Sequence, residues 1–108
     1  MSLDVMLIVD MDPTEVFEWN ITHNLAEMAQ EAGIYEALWR PEEAGINYAG
    51  QLILPLTKGL EVLKNHPEHF RKFAPENGWG TYEGLLEFVE KYLAACIENP
   101  DAEVRAYR

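Results

Sequence analysis

The sequence predicts an α+β domain: a small three-stranded antiparallel sheet with helices packed on one face, in the order β-β-α-α-α-α-β. Three observations carry this. Stretches of strand length, apolar or alternating, stand at 3–9, 15–22 and 102–107, near both ends of the chain. Between them, apolar residues recur at helical spacing. Gly and Pro punctuate the segments where the period changes.

The 108 residues make room for one domain, 1–108. Size scaling gives a folded area of roughly 6,000 Å² against about 18,000 Å² for the unfolded chain. A core can therefore form without staples. That matters because the single cysteine, Cys96, has no partner for an internal disulfide.

Residues 3–9 are apolar at nearly every position, which predicts a central strand buried on both faces. Asp10-Met11-Asp12-Pro13-Thr14 reads as a turn. Residues 15–22 then alternate. Phe17, Trp19 and Ile21 share one face; Val16, Glu18, Asn20 and Thr22 share the other. The first two strands should form a hairpin.

Asn24 is the expected cap of the first helix, with Leu25, Met28, Ala29 and Ala32 following at helical spacing. Gly33 should end it, since glycine enters the left-handed region freely. A second short helix spans 34–40, and Pro41 stops it because a residue before proline avoids helical geometry. A longer helix is predicted over 48–65, with Ile53, Leu56, Leu60 and Leu63 on one face. Pro55 either kinks this helix or sits in its first turn. Residues 66–73 read as a short helical turn. The last helix begins at Thr81, its cap, and buries the stripe Leu85, Val89, Tyr92 and Cys96. Asn99-Pro100-Asp101 ends it. Residues 102–107 alternate again, with Ala102, Val104 and Ala106 inward, as a third strand beside the first.

The net charge is −11 and uneven. Residues 1–39 hold eight acids and no Lys or Arg; the remainder carries −3. Such a surface repels a phosphate backbone, so direct nucleic-acid binding is not expected. The imbalance serves solubility, or it forms an acidic face that engages a basic protein surface or imitates nucleic acid. The N-terminus lacks a basic region ahead of its short apolar run, so no secretory signal is expected. No stretch approaches the roughly 20 apolar residues of a membrane span. A reducing cytoplasm is the expected compartment.

Two segments are chemically unusual. In WNITHNL (19–25), Asn20, Thr22, His23 and Asn24 surround a strand exit and a helix start, where free N–H groups attract anions or carbonyl oxygens. The same residues also suit simple capping. In ENGWGTYE (76–83), Trp79 stands between two glycines, either as a core plug or as an aromatic platform. Thr81, Tyr82 and Glu83 follow in a helical first turn. No nucleotide-binding glycine loop, GxSxG or HExxH occurs, so no catalytic residue and no cofactor is assigned. His66-Pro67-Glu68-His69 and Asp10-x-Asp12 lack the further ligands that zinc or calcium needs.

The blocks WNITHNL, AGIYEALWRPE, PENGWGTYEGL and NPDAEV together resemble a group of small acidic proteins encoded largely by bacteriophages and prophages. No activity is assigned to that group, so the resemblance implies no catalytic residues. It implies a phage or prophage origin and a cytoplasmic life inside a bacterial host. The expectation is a non-enzymatic accessory protein. It would bind a small polar ligand or peptide at a pocket formed by Asn20, Thr22, His23, Asn24, Trp79, Thr81, Tyr82 and Glu83. The alternative is an acidic interaction module that engages a basic host protein through residues 1–39.

Overall fold

The computed structural model describes residues 2–9, 14–76, 78 and 80–108. The strands are β1 (Ser2–Val9), β2 (Thr14–Thr22) and β3 (Glu103–Tyr107), antiparallel throughout in the order β2-β1-β3. The first strand is central, as its apolar run predicts, and the last lies beside it, as expected. The turn expected at 10–14 falls mostly on residues 10–13, outside the described residues. The helices are α1 (Ala26–Glu31), α2 (Tyr35–Trp39), α3 (Ile53–Asn65), α4 (Pro67–Arg71) and α5 (Tyr82–Glu98). The turn expected at 66–73 contains α4, so one more helix lies between β2 and β3 than predicted. Pro67 at its first position presets the backbone angle and loses no helical hydrogen bond.

One face of the sheet makes the core. Leu3, Val5 and Leu7 are fully buried and stand opposite Ile21, Trp19 and Phe17 of β2. Val5 and Leu7 also face Ala106 and Val104 of β3. The other face is open, which corrects the expectation that β1 is covered on both sides. Ser2, Asp4, Met6 and Ile8 are only partly buried, and neither Met6 nor Ile8 packs against the core. Apolar sequence did not mean two covered faces here, because neighbouring strands alone half-shield the central one.

An aromatic ladder holds α5 to β2. Phe17 stacks on Tyr92 at 5.3 Å between ring centres, Trp19 meets Phe88 at 6.1 Å, and Phe88 lies 5.5 Å from Tyr92. Each such pair contributes about 0.5–1.5 kcal/mol beyond the area it buries. The stripe read from the sequence, Leu85, Val89, Tyr92 and Cys96, is buried as expected. Pro55 is the third residue of α3, so it occupies the first turn, and the 3-10 turn Ala49–Leu52 leads in. There its missing N–H costs nothing. Gly33, at φ +79°, follows α1 as its left-handed stop. At the far end, the Arg108 guanidinium donates to the Trp39 carbonyl oxygen at 2.9 Å and pairs with Glu42 at 2.6 Å. That contact ties the end of β3 to the end of α2.

Candidate functional site

The strand exit and the glycine-bracketed segment meet. A β-carbon added to Gly80 would stand 2.9 Å from both Thr22 Cγ2 and Leu25 Cγ. Only the bare backbone of Gly80 fits against this corner. Beside it, Asn24 and Glu27 face His69, Lys72, Phe73, Ala74, Pro75 and Glu76 across an open cleft of about 450 Å³. The lining holds two carboxylates, one ammonium, one imidazole, one amide and a single phenyl ring, and the His69 and Phe73 rings lie 5.5 Å apart. The volume falls within the range of small-molecule sites. The His69 imidazole is already engaged: its Nε2 lies 3.0 Å from Glu31.

Of the seven described residues among the eight expected to build the pocket, only Asn24 lines this cleft. Thr22, rather than Asn24, caps the turn: its hydroxyl oxygen accepts from the Asn24 backbone N–H at 3.3 Å. A 3-10 turn over His23–Leu25 follows and runs into α1, which has no side-chain cap of its own. His23 is half-buried against Trp39, with ring centres 6.3 Å apart. Its Nε2 and the Trp39 indole N–H are buried without a hydrogen-bond partner among the described residues.

Asn20 points to the open sheet face, where its amide donates to Ser2 Oγ at 2.8 Å and Asp4 Oδ1 at 2.7 Å. The Thr81 hydroxyl accepts from Gly84 N–H at 2.9 Å and caps α5, as its position predicts. Tyr82 is buried; its hydroxyl donates to the Leu63 carbonyl oxygen at 2.7 Å. Glu83 lies 3.4 Å from Arg71, whose guanidinium also pairs with Glu68 and sits 5.0 Å over the Tyr82 ring. These groups serve the fold at α4 and α5 and do not open onto the cleft. Trp79, and the reading of it as plug or platform, lies outside the described residues.

The open sheet face is a second candidate surface. It carries Asp4, Glu15 and Glu18, with Asn20, Met6 and Ile8 between them. Across β3 it adds Arg105, which is spent on Glu103 at 3.2 Å. Neither Glu15 nor Glu18 pairs with a cation among the described residues. The pKa of Glu15 is raised, first by a side-chain hydrogen bond with Glu18, then by desolvation and charge repulsion. Two carboxyls thus crowd one another on this face without a cation among the described residues to offset them. The alternation of 15–22 placed Glu18 and Asn20 on one face. What it missed was that Asp4 faces the same way, since 3–9 read as covered on both sides.

Among the described residues, no group of three or more His, Cys, Asp or Glu side chains is placed to hold a metal ion, and no helix is long and apolar enough to cross a membrane. No family model matches the chain, and neither a curated protein nor a solved structure does.

Proposed function

We propose that the protein is a non-enzymatic interaction module that engages a basic protein surface through residues 1–39, whose strands carry the acids of the open sheet face. One observation carries this reading: a sheet face left uncovered by the helices bears Asp4, Glu15 and Glu18, and the two glutamates have no cationic partner among the described residues. A surface built only for solubility needs no such grouping on one face. A basic partner would relieve the crowding of Glu15 against Glu18 as it docked. The likeness of several sequence blocks to small phage and prophage proteins points to a protein of a bacterial host's cytoplasm as that partner.

The test is capture from bacterial lysate on immobilised protein, at low and then rising ionic strength. Retained proteins should be basic. They should elute as salt passes about 0.1 M, where the Debye length falls to about 10 Å. A variant carrying Glu15→Gln and Glu18→Gln should retain less of them. Retention that ignores both salt and the double variant would overturn the proposal.

A second reading, binding of a small polar ligand, is supported by the cleft between Asn24 and Glu76. Its lining offers both charge signs around Phe73, which suits a zwitterionic compound or a short peptide. Screening amino acids, nucleotides and short peptides for thermal stabilisation tests it. A hit abolished by Lys72→Ala supports the cleft; an unaffected hit places the ligand elsewhere.

A further inference from the structure

β2 is an edge strand of the sheet. Its nine residues pair only with β1, and among the described residues no backbone hydrogen bond links them to any other element. The opposite edge differs. There the Val104 N–H donates to the Asn47 carbonyl oxygen at 2.9 Å, and Tyr48 bridges Glu103. Proteins usually blunt an exposed edge with charged side chains, Lys above all, with Pro or with a bulge, and the charges of β2 are both glutamates, which repel a like edge but attract a basic one. β2 holds no Lys and no Pro. A register shift opposite Leu7 and Ile8 skips Val16, so the bulge sits near one end and leaves residues 17–22 regular.

The two sides of this edge are chemically distinct. On the helix side, Phe17 and Trp19 stack at 6.1 Å and pack on the core, yet remain only half-buried. On the open side stand Glu15 and Glu18. A strand laid along β2 sends alternate side chains to the two sides. Apolar residues would cover the exposed parts of Phe17 and Trp19, while Lys or Arg would lie beside the glutamates. A second copy of this chain fits poorly, because edge-to-edge pairing brings two rows of carboxylates together.

We propose that β2 accepts an extended segment of a partner protein, alternating apolar and basic residues, as a fourth strand of the sheet. This rests on the reading of the acidic sheet as an interaction surface and specifies how it is engaged. Main-chain hydrogen bonds supply the affinity and the two rows of side chains supply the choice of sequence.

The probe is a synthetic peptide of alternating valine and lysine, as long as β2. It is compared with the same peptide N-methylated at every second residue on its pairing edge. Hydrogen exchange and NMR of the full chain read the outcome. The unmodified peptide should protect amides of residues 17–22 and shift the Trp19 indole resonance. N-methylation should weaken binding by about tenfold or more, as removed backbone hydrogen bonds demand. The variant Glu18→Lys should weaken it too. If the methylated peptide binds equally well and no β2 amide is protected, edge pairing is overturned while a purely electrostatic sheet face survives. If neither peptide binds, and basic lysate proteins are not retained at low salt, both readings fall. Protection of β2 that depends on protein concentration without peptide would assign the edge to a second copy and overturn the proposal.

Discussion

Tyr82 and Cys96 are polar or reactive groups sealed inside the fold. Tyr82 spends its hydroxyl on the Leu63 carbonyl oxygen, joining α5 to the last turn of α3. Burial raises its phenol pKa, with Arg71 opposing that and Glu83 and Glu90 adding to it. Tyr82→Phe removes the donor and leaves a carbonyl oxygen beside apolar side chains. The expected loss is about 1–3 kcal/mol, since an unsatisfied buried acceptor costs more than a net hydrogen bond contributes. Urea denaturation should show a lower midpoint with an unchanged slope; an equal midpoint would mean that water replaces the tyrosine. Cys96 is fully buried on the same helix, and burial alone pushes its thiol up to about 12. The thiolate is the reactive form. Alkylation by iodoacetamide at neutral pH should therefore be slow in the native protein and complete in denaturant. Rapid native labelling would show that the helix opens locally.

At the level of elements, the start of α5 and the exit of β2 stand or fall together. Gly80 has φ +118°, a left-handed conformation, and its α-carbon faces Thr22 and Leu25 with no room for a side chain. Gly80→Ala must strain the backbone by roughly 1–2 kcal/mol and overpack the corner by about 1–3 kcal/mol more. Thr81→Ala loses only the cap on Gly84, about 1 kcal/mol. Stability measured by urea should rank wild type above Thr81→Ala, and Thr81→Ala above Gly80→Ala. A Gly80→Ala protein as stable as Thr81→Ala would mean that the corner relaxes. These elements also separate what could be read in advance from what could not. The stripe on α5, the Thr81 cap and the stop at Gly33 are local signals, and local geometry obeys them. The capping of α1 is not decided by residue rank. Asn ranks above Thr as a cap, but Thr22 reaches the Asn24 N–H first and starts the turn two residues earlier. That the two unusual segments adjoin followed from each lying at a helix start over one small sheet. Which side chains would be consumed by the fold did not follow, because Tyr82–Leu63 and Glu83–Arg71 join residues distant in sequence.

For the molecule as a whole, charge is the dominant uneven quantity. Self-repulsion at −11 opposes the compact state. Against it stand ion pairs such as Arg40–Glu43, Lys64–Glu90 and Arg71–Glu68, all with substantially exposed side chains. Exposed pairs of this kind contribute about 0–1 kcal/mol each, and salt weakens them. Salt also weakens the repulsion, and repulsive pairs outnumber attractive ones when nineteen acids face eight bases. The repulsive side should win. The urea midpoint is therefore expected to rise as sodium chloride goes from about 0.01 M to about 0.15 M, where the screening length shortens from about 30 Å to about 8 Å. Glu15 sharpens the expectation. Its pKa is raised, so its contribution is most favourable at low pH and declines as pH rises through that value and Glu15 takes on its charge. Glu18→Lys removes that repulsion and supplies a cation between Glu15 and Asp4. The variant should be more stable than wild type at low salt, and the gap should narrow as salt is added. A wild-type midpoint that falls with salt would mean that the surface pairs, taken as a network, outweigh the excess negative charge.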